Sequence, residues 1–262
     1  MRFATSLTLL TLLGAAGTAW GQALDDEGKP VPTTDPAAAP TTTDTGPKLE
    51  YGADLRIRQV FVPGWMLNLF IDKHSGGFSN TGIGVDLVRR RGNLELQLGF
   101  EFEHTQPNEG VWINSGDNVA AGDEADYLIS ADRAGKQLGW FTIEFTFLNH
   151  APITDKVAIR YGGGAGLGIV TGGLQKYDVP CNGATNEQPE PGCVPAGITS
   201  PSGNVGTAGA ARGPNDYDLP PVFPVVNAII GIQIRPVPKA VINIEGGIRT
   251  IPFIGMSAGY FF

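Results

Sequence analysis

After residue 23 the chain lacks any run of the roughly 18 consecutive apolar residues that a membrane-crossing helix needs, so no such helix is expected there. Positive charge is also scarce. Eighteen Lys and Arg against 26 Asp and Glu leave a net charge of −8, which provides no basic footprint for a phosphate backbone and excludes nucleic acid as a partner. Two cysteines and three histidines are too few for a Cys/His-rich metal centre. Long helix-forming stretches are rare as well. What the chain has instead is glycine, 37 residues of it, with many threonines and phenylalanines, a composition of strands separated by turns.

Met1-Arg2 gives a short positive start, Ala4 to Ala16 an uncharged apolar run, and Gly17 to Ala23 a small-residue stretch. That order predicts a signal peptide over residues 1–23, cut near 21–23, because the apolar core is shorter than the ~20 residues of a spanning helix. Residues 24–49 are Asp, Pro, Thr, Ala and Gly with almost no large apolar side chain, too little to offset ordering entropy. A disordered spacer is expected there, followed by one folded domain over residues 50–262, since all-β folds of ~200–250 residues are commonly single.

From Tyr51 onward the hydropathy has period two. Leu94, Leu96, Leu98, Phe100 and Phe102 alternate with Glu95, Gln97, Gly99, Glu101 and Glu103, assigning apolar and polar side chains to opposite faces of a strand. The same alternation begins at Tyr51 and recurs over 82–90, 137–148, 157–171, 225–235, 240–249 and 253–262. Eight strands result, most near the ~9–11 residues of a tilted membrane strand. Arg91-Gly92 reads as a two-residue hairpin setting Arg90 opposite Asn93; 149–156 and 236–239 are short, whereas 62–81, 106–136 and 175–223 are long. Short turns on one side and long loops on the other are the rhythm of an up-and-down barrel with both termini in the periplasm, with Thr250 to Pro252 as one brief external link.

Alternation by itself suits a soluble barrel with an apolar interior as well as a membrane barrel with an apolar exterior. The polar face decides. It carries Asp54, Arg56, Arg58, Asp86, Arg90, Glu95, Glu101, Glu103, Glu144, Arg160, Arg235, Glu245 and Arg249, with arginine present and lysine absent. Arginine's planar fork suits enclosed pairing, so these residues are expected to form a charge network in the lumen. The glycines at 162, 164, 166 and 168 are expected to leave room for its long side chains.

The last strand sets Met256, Ala258, Tyr260 and Phe262 against Ser257, Gly259 and Phe261 and ends on the aromatic. It resembles the closing strand of bacterial outer-membrane β-barrels, and in strand number residues 50–262 resemble the OmpA-like and OmpX-like small barrels of Gram-negative bacteria. The resemblance implies an all-β, eight-stranded antiparallel transmembrane barrel in the outer membrane. It further implies that Tyr260 and Phe262 serve as assembly signal and girdle, with outer-membrane lipid, lipopolysaccharide and the barrel-assembly machinery as partners. The chain departs from the OmpA pattern in showing no soluble domain after the barrel, so no peptidoglycan-binding role follows.

Cys181 and Cys193 fall in the longest loop and, in an oxidising compartment, predict a local disulfide. Catalysis finds no clear constellation: His74 falls in the first external loop, His104 at the external rim and His150 in a periplasmic turn, so only His104 with Glu101, Glu103 or loop serines could assemble a base. Asp117, Asp123, Glu124 and Asp126 lack the calcium-loop spacing and its glycine. Gly163 to Gly168 lies in a strand pattern and is no phosphate cradle. Neither metal nor cofactor is expected. The reading that results is a barrel with a plugged polar interior, structural or interacting through its loops. The alternatives are a narrow porin-like channel, a lipid-modifying enzyme near His104 of the kind known among lipid A deacylase-like and palmitoyltransferase-like barrels, and a soluble periplasmic ligand-binding barrel.

Overall fold

In a computed structural model of the protein, residues 47–262 are described. The expected signal peptide, and the expected spacer as far as residue 46, lie outside the described residues. In chain order the strands are β1 (Leu49–Val62), β2 (Ile71–Lys73), β3 (Phe78–Arg91), β4 (Leu94–His104), β5 (Gly110–Asn114), β6 (Glu124–Leu128), β7 (Gly139–Pro152), β8 (Val157–Thr171), β9 (Gln175–Pro180), β10 (Arg212–Asp216), β11 (Val222–Val237), β12 (Ala240–Arg249) and β13 (Ile251–Phe261). Two single-turn helices, α1 (Gly64–Leu67) and α2 (Ala131–Ala134), lie in the connections.

Eight of the strands close into one barrel in the order β1-β13-β12-β11-β8-β7-β4-β3, with β3 returning to β1, every pair antiparallel. Among these eight, each strand pairs with those before and after it in the chain, an up-and-down closure that leaves no free edge. This is the architecture the resemblance implied.

The alternation decides which side chains go where. In β4 the leucines and phenylalanines point outward, whereas Glu95, Gln97, Gly99, Glu101 and Glu103 are buried within. The contrast is large: Leu55 is 58% exposed on the outside and Glu101 1% exposed on the inside. The bulky apolar side chains therefore form the exterior, the arrangement opposite to a soluble barrel with an apolar core. Val88, Val241 and Phe261 pack inside the end where the chain enters, and Val60, Leu148, Ile229 and Phe253 form a second small internal cluster.

The end that carries Leu49 and Phe261 has only tight turns: Gly92-Asn93, 153–156 and 238–239. Arg90 pairs with Glu95 and Arg91 with Leu94, so the first hairpin turns on Gly92-Asn93, one residue later than the sequence suggests. Gly92 adopts φ +61° at the first central position, the conformation a II′ hairpin asks of glycine.

The opposite end departs from the expectation of plain loops. There β2, β5, β6, β9 and β10 form a second, five-stranded sheet in the order β10-β9-β6-β5-β2, drawn from all three long connections. Val111, Ile113, Val119, Ala125, Tyr127, Val179, Val194 and Ala208 are buried together as its core, beneath the segment that carries the disulfide. A separate cluster of Trp112, Leu128, Leu138 and Leu174, with Phe78 and Val170 of the barrel strands against it, fastens this module to the rim.

Candidate functional site: the filled lumen and the loop module

Arg56 and Arg58 enter the lumen from β1, two residues apart and so on the same face. Arg56 reaches Asp86 of β3 at 2.6 Å, Glu101 of β4 at 2.7 Å and Glu144 of β7 at 3.0 Å. Arg58 reaches Glu144 at 2.9 Å, Glu245 of β12 at 3.1 Å and Glu101 at 3.3 Å, and its guanidinium lies 4.4 Å from the Phe253 ring centroid. Arg160 of β8 bridges Glu245 at 2.6 Å and Glu95 at 3.0 Å, and Arg249 bridges Glu101 at 3.0 Å and Glu103. These four arginines tie together carboxylates from four strands, β3, β4, β7 and β12, all buried. An eight-stranded barrel has room inside for side chains and little else, and here that room is taken.

Three residues expected in this network sit differently. Asp54 is buried but touches no arginine; its Oδ2 accepts a hydrogen bond from Asn243, which also donates to Ser257. Arg90 donates to Gln233 and to the Gly92 carbonyl near the turns. Arg235 pairs with Glu50 at 3.1 Å and stacks 4.8 Å from the Phe261 ring at the same end. Sequence reading passed over several neutral members, among them Asn227, which donates to Glu144 and Thr146, and Gln97, which donates to Glu95. Their inward parity was the available signal.

The histidines separate as well. His150 is not in a turn: β7 runs on to Pro152, and His150 points into the lumen 3.0 Å from Glu95 Oε2. His104 faces outward from β4, edge-on to Phe102, so it lies on the opposite face from Glu101 and Glu103 and cannot draw on either. His74 accepts the Gly76 amide proton at Nδ1, which leaves Nε2 to donate to Asn68 at 2.9 Å. No two of the three share a site.

The loop module carries its own polar order. Cys181 and Cys193 form a disulfide across 12 residues. Asp126, Lys176 and Asp178 form a surface cluster, with Lys176 Nζ at 2.7 and 3.0 Å from the two carboxylates. Burial acts to lower the Lys176 ammonium pKa, but hydrogen bonds to both aspartates outweigh it and hold it above its ordinary value. Burial, reinforced by Glu109 beside it, raises the Tyr127 phenol. Glu124 pairs with Arg212, and Asp123 caps the Asn118 amide, so these loop acids serve separate partners.

Between β2, β5 and the 189–202 segment the module has an open pocket of about 530 Å³, lined by Lys73, His74, Ser75, Asn108, Glu109 and Glu190 among others. The Glu190 carboxylate accepts hydrogen bonds from Ser200, Ser202 and Asn204. Glu109 accepts from Tyr127 and from the Ser130 amide and pairs with Arg133. The arrangement can offer fixed charges and hydrogen-bonding groups to a ligand from outside.

Tyr260 and Phe262 both point outward, 52% and 75% exposed, at the turn end. In β8 a Cβ on Gly162, Gly164 or Gly166 would strike a carbonyl of β7, and one on Gly168 the Phe223 ring, so these glycines also permit close approach. Room for the ion lattice comes from Gly99, where a Cβ would stand 2.7 Å from Asp86 Oδ1 and 3.1 Å from Arg56 Nη2.

No protein-family model matches the chain, and no curated protein sequence matches it. Among solved structures it is similar to Ail, the attachment invasion locus protein of Yersinia pestis, solved with the heparin analogue sucrose octasulfate, at 11% identity and TM-score 0.35 over 81% of this chain and 99% of that one. It is also similar to Neisserial surface protein A, at 8% identity and TM-score 0.37 over 81% and 95%. A third similarity is to an outer-membrane channel of Pseudomonas putida F1, at 9% identity and TM-score 0.28 over 86% and 99%. At these values the likenesses carry no functional argument, and what stands is this chain's own architecture: a closed eight-stranded antiparallel barrel, apolar outside and charged within, surmounted by a folded loop module.

Proposed function

We propose that the protein is an outer-membrane β-barrel with a plugged lumen, acting as a structural or surface-interaction protein through the module built from its long external loops. The observation that carries this reading is the contrast between the two parts: the lumen is filled by mutually paired buried side chains, whereas three long connections are ordered into a sheet with its own core, disulfide and open pocket. The exterior of the barrel supports placement in a bilayer. It presents Leu55, Ile57, Ile83, Val85, Phe145, Leu167, Ile230, Ile244, Ile254 and Met256 to the surroundings, a surface whose exposure to water would be costly. Strands of 10–16 residues are long enough to cross the apolar core at a tilt.

The lysines provide a test, because the described ones lie at the two ends and not in the barrel wall. Lys73, Lys136 and Lys176 belong to the module, Lys156 and Lys239 to the tight turns, and Lys48 precedes β1 at the same end as those turns. A membrane-impermeant amine reagent applied to intact cells is expected to modify exposed Lys136 and to spare Lys156 and Lys239 until the outer membrane is opened. Modification of Lys156 and Lys239 with Lys136 protected would reverse the orientation and remove the display function.

A further inference from the structure

Asp, Glu and Arg side chains of the eight barrel strands point into the lumen or line its ends, with two exceptions among the described residues. Arg89 and Arg91 of β3 face outward, level with Tyr51 and Leu49 of β1, two residues and so about 7 Å apart at the turn end. Neither has an ion-pair partner among the described residues. Next to Arg89 the outer wall is indented by a groove of about 420 Å³, lined by Tyr51, Leu87, Leu96, Leu98, Phe145 and Phe262. The register fixes its direction. Tyr51, Arg89 and Leu96 share one level near the rim, and Leu87, Leu98 and Phe145 lie further along the strands toward the barrel's middle.

We propose that this groove is a binding site for one anionic phospholipid of the periplasmic leaflet, with its phosphodiester held between Arg89 and Arg91 and an acyl chain lying along Leu87, Leu98 and Phe145. The inference rests on the membrane reading above. A charge on a lipid-facing wall is tolerated near the interface and costly at the midplane, and these two arginines stand at the turn-end rim, which that reading places at the interface. A guanidinium makes paired hydrogen bonds to phosphate oxygens, and its alkyl stem can lie along apolar wall while its head reaches the headgroups. Charge complementarity selects a lipid of net negative charge. The groove supplies what a free phosphate would not need, an apolar trough running from the cations toward the bilayer centre.

The test is native mass spectrometry of the full chain released from micelles doped with dioleoylphosphatidylglycerol or dioleoylphosphatidylcholine, with folding of each variant checked by the change in gel mobility on boiling. The wild type is expected to retain one phosphatidylglycerol in preference to phosphatidylcholine. Arg89→Gln with Arg91→Gln should lower that retention about tenfold. Leu87→Trp, which fills the trough and leaves both arginines, should lower it similarly, and Lys239→Gln at the same end should leave it unchanged. Equal retention of the two lipids, full retention by either groove variant, or an equal loss in Lys239→Gln would overturn the site. A chain that inserts and shows the mobility change but retains no phosphatidylglycerol overturns this inference alone. One that stays soluble without detergent overturns the membrane reading with it.

Discussion

Arg58 has three carboxylates within 3.3 Å and an aromatic ring above it; each of the three keeps a second arginine if it is removed, but the buried cluster is left with one more uncompensated negative charge. Breaking a buried ion pair by deleting one partner costs about 3–5 kcal/mol because the other charge is left uncompensated. Arg58→Met is therefore expected to lower unfolding free energy in detergent or vesicles by that order, read as a lower urea midpoint at unchanged slope. Arg212→Met, which loses an exposed pair with Glu124, should change it by no more than about 1 kcal/mol. Glu190 offers a pH-dependent counterpart outside the barrel wall. Burial acts to raise its pKa, but hydrogen bonds from Ser202, Asn204 and Ser200 prevail and hold it below the ordinary carboxylate value. A carboxylate with a folded pKa below its unfolded one contributes its full stabilisation above the unfolded value, about 4.3, and loses it as pH falls through the folded value. Amide hydrogen exchange over 200–204 should therefore accelerate on acidification through that window beyond its intrinsic change, and Glu190→Gln should abolish the extra pH dependence.

Among the elements, the 181–193 segment depends on its disulfide, which closes a 12-residue separation over the module's core. Loop-entropy arguments assign such a closure about 3 kcal/mol. Reduction, or Cys181→Ser with Cys193→Ser, should make the 182–211 segment protease-sensitive while the barrel keeps its heat-modifiable mobility. In the wall, Gly99→Ala should be more disruptive than its size suggests, since the added methyl meets Asp86 and Arg56 at the centre of the lattice; a lower midpoint close to that of Arg58→Met is expected. The alternation of Leu94 to Glu103 made β4 legible at once, because one face had to be charged and the other apolar. Strand ends were less so. β3 begins at Phe78 because Ser79, Asn80 and Thr81 pair with Phe61, Val60 and Gln59, polar residues whose strand identity comes only from the partner. His150 was hidden by Asn149 and Pro152, which read as a turn but continue β7. The five strands of the module were not legible at all. They are three to six residues long, β10 is Arg-Gly-Pro-Asn-Asp, and two of their four pairings, β2 with β5 and β6 with β9, join different connections.

At the scale of the whole molecule, the proposed function assigns shape to the lumen and display to the module. Four arginines cross-link the barrel strands from within, so transport through the middle would require breaking several buried pairs at once. In planar bilayers the inserted protein should show no steady single-channel conductance, and a stable open level would assign the lumen a transport role instead. The polar face that lacks lysine was readable from the sequence as an enclosed surface; that it closes into a lattice centred on Arg56 and Arg58 needed the register of all eight strands. The central claim is that this barrel spans the outer membrane with its apolar face to lipid. It is tested most directly by fractionating cells and comparing gel mobility with and without boiling. The account predicts that the chain is found with the outer membrane and shifts in mobility on boiling; recovery in the soluble periplasmic fraction without detergent would contradict it.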